Sequence, residues 1–182
     1  YGGQRDLAAR TIRAVGDPLE RFREDGLRAM RAVRFAAQLE FAIDPPTERA
    51  IPEAIDVFRK VSAERVRDEL VKILSARRPS VGLELMRTTG LVGATIPELL
   101  EGVGLHQNRF HAHDVWHHTL AAVDATELLG DPPWLGRFAA LLHDVAKPRT
   151  AALKEDSPPE NTFYRHEHVG ADMAEQICRR LK

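Results

Sequence analysis

The sequence predicts an all-α protein built from two helical regions. Apolar residues recur at helical spacing, as in Leu27, Met30, Val33 and Ala37, and again in Val66, Leu70, Ile73 and Leu74. Strand-like alternation is scarce, confined to Leu7 to Val15 and the Thr150 to Tyr164 segment. The third observation divides the chain: all eight histidines (His106, His111, His113, His117, His118, His143, His166 and His168) lie in its last part. A boundary near Gly102 to Leu105 follows, giving segments 1–15, 16–104 and 105–182.

Element by element, Asp17-Pro18 supplies an N-cap and a first-turn proline for a helix whose pattern runs to Asp44-Pro45-Pro46. A further helix covers about Thr47 to Arg59. The next begins with Ser62 as N-cap, where Val61 and Val66 stand at hydrophobic-staple positions. Pro79 and Gly90 bracket a short helix, and "GLVGATIPELL" reads as a turn and another helical piece. Beyond it, "HDVWHHTL" opens a helix near Asp114, and "WLGRFAALLHDVAKP" forms a second that Pro148 ends.

With 182 residues, 43% of them hydrophobic, the chain can bury a real core, and no apolar run is long enough to span a membrane. Cys178 is the single cysteine, and no secretory signal pattern opens the sequence, so a reducing cytoplasm is the expected compartment. The net charge of -1 argues against a global attraction to nucleic acid. Basic character is local instead, with eight arginines against five acids between Arg5 and Arg34.

Within that basic region, a helix over Glu24 to Gln38 makes Asp25 and Arg28 neighbours at i and i+3. One reading is an exposed ion pair worth a few tenths of a kcal/mol. The other is a template. A carboxylate only accepts hydrogen bonds and a guanidinium only donates them. Together they match cytosine and adenine, which present an exocyclic amine beside an acceptor ring nitrogen, and reject uracil and guanine, which reverse that order. Arg31 and Arg34, on the following turns, could face triphosphate or RNA, or cover apolar surface with their stems. Glu64, Arg65, Arg67 and Glu69 read as bracing for this region rather than nucleotide contacts.

In the histidine region, His118, the pair His143-Asp144 and His166 form a candidate metal site, since imidazole and carboxylate suit manganese, iron, nickel or magnesium. Any one of these histidines could equally be an ordinary core or surface residue. The order of a histidine, then HD with Ala146-Lys147 following, then "YRHEHVGA", resembles the HD superfamily of metal-dependent phosphohydrolases. That resemblance implies His118, His143, Asp144 and His166 as ligands and Lys147 near phosphate. The family's final aspartate from a later helix has no match; Asp172 follows His166 too closely.

A wider resemblance covers nearly the whole chain. "YGGQRDLAARTIRAVGDP", the EDxxR of Glu24, Asp25 and Arg28, "SAERVRDELVKIL" and "QNRFHAHDVWHHTL" follow one another in the order of the bacterial class II CCA-adding enzymes and poly(A) polymerases. The resemblance implies a helical neck and body followed by an HD domain. It makes Asp25 and Arg28 the template for incoming CTP or ATP, with Arg31 and Arg34 beside them, at the 3′ end of tRNA or another RNA. Poly(A) synthesis is the alternative within the family, and an RNA-binding module a third reading.

Nucleotidyl transfer uses two divalent ions, Mg2+ in this family, held by clustered carboxylates, and these residues contain no Asp-x-Asp pair. The chain by itself is therefore expected not to add nucleotides. For the HD site, Mn2+, Ni2+ or Mg2+ is the expected ion.

Overall fold

The computed structural model describes residues 1–107, 113–127, 132–154 and 160–182. They form two compact units, one of residues 1–95 with 181–182 and one of residues 96–180. Both are helical, as the periodicity predicts, with two short two-stranded pairings among the described residues. No described helix is long and apolar enough to cross a membrane.

The first unit begins with α1 (Gly3–Ala8) and β1 (Thr11–Ile12). The predicted strand from Leu7 is thus a helix in its first residues, and only two residues extend. They pair in parallel with β2 (Ala42–Ile43), Thr11 opposite Ala42 and Ile12 opposite Ile43. Arg13 ties the pairing down by contacting Asp6 at 3.1 Å and the buried Asp44 carboxylate at 2.5 Å.

Asp17 caps α2 (Pro18–Glu24) by accepting the Glu20 N–H at 2.8 Å, as its type and position predict. The expected continuous helix then breaks. Asp25 is extended, with φ -152°, and α3 (Leu27–Leu39) starts after Gly26. The break coincides with a close tertiary approach: a Cβ on Gly26 would stand 2.6 to 2.7 Å from backbone atoms of Val57 and Phe58. The chain bends where another segment's backbone presses against it, and only glycine fits there.

The predicted Thr47 to Arg59 helix starts earlier, on Pro45, and divides into α4 (Pro45–Glu53) and α5 (Ile55–Phe58). Pro52 lies in the last turn of α4, where it offers no N–H to continue the ladder. Next come α6 (Ala63–Leu74), α7 (Pro79–Thr88) and α8 (Leu91–Thr95). Ser62 stands at the N-cap of α6 with extended dihedrals, but its hydroxyl makes no capping bond. Leu27, Met30, Val33 and Ala37 of α3 are buried with Leu70, Ile73 and Leu74 of α6 and with Leu83 and Met86 of α7. Gly82 permits this packing, since a Cβ there would meet Ile73 at 2.7 Å and Ala37 at 3.0 Å.

The second unit opens on a 3-10 turn (Pro97–Gly102) and then α9 (Val115–Ala125), whose N-cap Asp114 accepts from the His117 N–H at 2.7 Å. α10 (Leu135–Leu142) is shorter than "WLGRFAALLHDVAKP" predicts. It stops before His143, residues 143–146 form a turn, and Pro148 sits in the first turn of α11 (Lys147–Thr150) instead of ending the helix before it. β3 (Ala152–Lys154) and β4 (Glu160–Thr162) pair antiparallel, within the segment singled out as a weak strand candidate. Its Pro158-Pro159, like His111, lies outside the described residues. α12 (His166–Leu181) buries Met173 and Ile177.

Candidate functional site

In the first unit, the bend between α2 and α3 places Asp25 and Arg28. Asp25 stands before the helix, not on it. One of its oxygens, Oδ1, accepts the Leu27 N–H at 3.1 Å, while Oδ2 accepts from Arg65 Nη2 at 2.8 Å. Burial pushes the Asp25 carboxyl up. The Arg65 hydrogen bond, the Leu27 amide and the charges of Arg65 and Arg31 outweigh it and hold the group below the usual carboxylate range. Asp25 is therefore an ionised, two-point-fixed acceptor.

Arg28 does not pair with Asp25. It reaches back to Glu24 at 2.5 Å and to the Arg21 carbonyl at 3.1 Å. An open cleft of about 410 Å³ lies beside it, lined by Arg13, Arg21, Arg28 and Arg31 over an apolar floor that includes Phe22 and Phe35. Each of the four arginines has a carboxylate near it: Asp6 and Asp44 for Arg13, Glu24 for Arg21 and Arg28, and, more distantly, Glu69 and Asp25 for Arg31.

The other two arginines of the ladder differ from each other. Arg31 is exposed and only loosely engaged, 3.7 Å from Glu69 and 4.0 Å from Asp25. Arg34 is largely buried, 2.6 Å from Glu69, with its guanidinium 3.9 Å from the Phe35 ring centroid and a bond to Gln38 Oε1 at 2.9 Å. Its geometry is that of a brace. Glu69, only 3% exposed, also takes Lys72 at 3.0 Å. Spacing singled out Arg31 and Arg34 equally; the acid on α6 separates them. Arg13 and Arg21 carry no local signal that would place them in the cleft.

In the second unit, His118 comes from α9, His143 and Asp144 from the turn after α10, and His166 from the start of α12. All four converge. Around Asp144, which is 4% exposed, His143 Nε2 lies 3.0 Å and His118 Nε2 3.4 Å from Oδ2, and His166 Nε2 lies 3.7 Å from Oδ1. The two imidazoles of His118 and His143 approach to 3.3 Å between Nε2 atoms.

Backbone carbonyls fix the tautomers. His143 Nδ1 is 2.7 Å from the Ala140 oxygen, and His166 Nδ1 is 2.7 Å from the Phe163 oxygen. A carbonyl only accepts, so each Nδ1 bears the proton, and in the neutral ring each Nε2 offers its lone pair to the centre. Lone pairs turned on a carboxylate require a cation or a proton between them. Accordingly, the hydrogen bond to Asp144 outweighs burial and raises the His143 imidazole above its ordinary value. Burial pushes the Asp144 carboxyl up, but the hydrogen bonds and charges of His143 and Lys147 outweigh it and bring it to about 2.

His118, His143 and Asp144 offer ligand atoms within 4.8 Å of one another, and this donor set fits a divalent ion of the imidazole-carboxylate class. His166 is positioned to join from the side. Lys147 completes the cluster with Nζ 2.7 Å from Asp144 Oδ2 and 2.6 Å from Gln107 Oε1. Gln107 opens the quoted stretch "QNRFHAHDVWHHTL", but no spacing ties it to the lysine it holds, forty residues away.

Comparison with known proteins places both units. Residues 40–102 match the family "Probable RNA and SrmB- binding site of polymerase A", and residues 115–182 match the HD domain. Over the full chain, the sequence is 40% identical to the A-adding tRNA nucleotidyltransferase of Deinococcus radiodurans and 40% identical to the multifunctional CCA protein of Ralstonia nicotianae. Over 95% of the chain it is 36% identical to the CC-adding tRNA nucleotidyltransferase of Thermus thermophilus. The chain spans 41 to 42% of the length of these relatives. Among solved structures, the Bacillus stearothermophilus CCA-adding enzyme in complex with CTP aligns with 98% of this chain and 39% of its own, at a TM-score of 0.57 and 28% identity.

Proposed function

The chain belongs to the family of the tRNA nucleotidyltransferases, with their polymerase A RNA-binding region and HD domain, and from that premise we propose that it selects the incoming nucleotide for C and A addition at tRNA 3′ ends. The observation that carries this reading is the ionised Asp25 carboxylate, fixed by the Leu27 amide and Arg65, with Arg28 three residues on at the wall of an open cleft. Asp25 accepts the exocyclic amine of cytosine or adenine, Arg28 donates to the adjacent ring nitrogen after exchanging Glu24 for the base, and Arg31 faces the triphosphate. Arg34 contributes by holding α6 against α3. In this reading, residues 16–104 bind RNA and nucleotide and residues 105–182 form the HD domain. The Mg2+-dependent transfer step, for which these residues hold no paired carboxylates, belongs to the part of the relatives that this chain does not span, and the work is done in the cytoplasm.

The test is a titration of the chain with each nucleoside triphosphate, followed by NMR at the amides of residues 26–30. CTP and ATP are expected to shift these signals at concentrations roughly ten to a hundred times lower than UTP and GTP, the discrimination of one good bidentate pair. Asp25→Ala should remove the difference. An equal response to all four nucleotides in the unaltered chain would sink the assignment.

The convergence of His118, His143, Asp144 and His166 favours a second activity, metal-dependent hydrolysis of phosphate monoesters or 2′,3′-cyclic phosphates, with Mn2+, Ni2+ or Mg2+ as the ion. A bound divalent ion supplies a polarised water and a Lewis acid for phosphate. Here His118, His143 and Asp144 would hold it, His166 would complete the shell, and Lys147 would neutralise phosphate charge. Ring opening of a 2′,3′-cyclic nucleotide by water to the nucleoside monophosphate in the presence of Mn2+ is expected to fall about a hundredfold in His143→Ala, by analogy with losses on disrupting metal-site ligation. A rate unchanged by that substitution would reject the second activity.

A further inference from the structure

The role given to Lys147 above concerns phosphate; its buried ammonium also sits directly against Asp144, the carboxylate of the would-be ligand set. Lys147 is 8% exposed, and its Nζ contacts Asp144 Oδ2 at 2.7 Å and Gln107 Oε1 at 2.6 Å, and lies 5.5 Å from the Phe163 ring centroid. Its anchor is itself buried, with Gln107 Nε2 donating to the His113 carbonyl at 3.4 Å. The tether is short, because the Lys147 N–H bonds the Asp144 carbonyl at 3.0 Å in the same turn. Among the described cationic or potentially cationic groups around Asp144, the ammonium makes the shortest contact, closer than His143 at 3.0 Å, His118 at 3.4 Å or His166 at 3.7 Å.

The oxygen it touches is the one on which the ligand set converges. His143 and His118 both have Nε2 near Oδ2, so an ion held by the three residues would take this oxygen. It would then stand next to a fixed positive charge in a partly desolvated site, where like charges repel strongly.

We propose that Lys147 is the resident counter-ion of this site: its ammonium neutralises Asp144 at the oxygen a divalent ion would take, so the ion binds only by displacing it, and the lysine rather than the histidines sets metal affinity. The inference rests on the metal-site reading above. It explains how a site with one carboxylate and three imidazoles remains charge-balanced without metal, since Asp144 carries the cluster's negative charge and Lys147 the matching positive one.

The experiment is Mn2+ binding to the full chain by calorimetry and by loss of the free-ion EPR signal, with no substrate present. Lys147→Met is expected to bind Mn2+ roughly tenfold or more tightly than the unaltered chain, while Lys147→Arg, which keeps the charge, stays within about threefold of it. If Lys147→Met fails to fold by circular dichroism, Lys147→Gln is read in its place. Binding by the unaltered chain that the neutral variant does not tighten overturns the counter-ion role and leaves the metal site standing. No binding by either protein at millimolar Mn2+ overturns both.

Discussion

Glu69→Ala is expected to destabilise the first unit by about 3–5 kcal/mol, the cost of removing one partner from a buried ion pair. Glu69 is 3% exposed and lies 2.6 Å from Arg34 and 3.0 Å from Lys72, with Arg31 at 3.7 Å. Lys72 and Arg31 can turn to water. Arg34 is held, because its side chain is only 14% exposed and its guanidinium lies over Phe35, so its charge would remain partly buried without a counter-ion. Against a total stability of about 5–15 kcal/mol for a typical domain, the loss is a large fraction. Urea unfolding measures it directly. Glu69→Gln, which keeps the volume and an acceptor oxygen, should lose less than the alanine variant. A Glu69→Ala midpoint equal to that of the unaltered chain would show that the pair has no structural weight.

Gly26→Ala should be nearly as damaging, at about 3 kcal/mol, the upper end of the range for overpacking. The atoms that a Cβ would strike at 2.6 to 2.7 Å belong to the backbone of Val57 and Phe58, which no rotamer change can move aside. Relief requires α3 to shift away from α5, and Asp25 and Arg28 would shift with it. Thermal unfolding should drop by roughly 10 °C or more for a unit of this size, and preference for CTP and ATP should weaken in parallel. Gly3→Ala is the control, since nothing lies within 4 Å of a Cβ there. If the two variants unfold at the same temperature, the close approach at Gly26 is not a constraint.

Much of this was legible in the residues. The apolar spacing of α3 and α6 named buried residues correctly, and Asp17-Pro18 announced the start of α2, because these signals depend on neighbours within one or two turns. Four candidate ligands from three separate segments converge on one carboxylate in the structure. Where local reading departed from the structure, packing had intervened. The helix over Glu24 to Gln38 breaks at Asp25, next to Gly26, where the α5 backbone comes too close to admit a Cβ. The α10 helix ends before His143 and releases the HD pair into a turn, although nothing in that pattern marks a stop until Pro148.

By itself, the sequence determined the helical class, the buried faces and the types of chemistry available: an acceptor and a donor at Asp25 and Arg28, and imidazoles with a carboxylate at the HD pair. Tertiary structure alone decided the partners. Arg65 fixes Asp25 and Gln107 fixes Lys147, each across forty residues, and Glu69 turns Arg34 into a brace while leaving Arg31 exposed. The physical reason is that periodicity reports what a residue meets one turn away. Whether a charge is free to read a ligand depends on which distant side chain packing has brought within 3 Å of it.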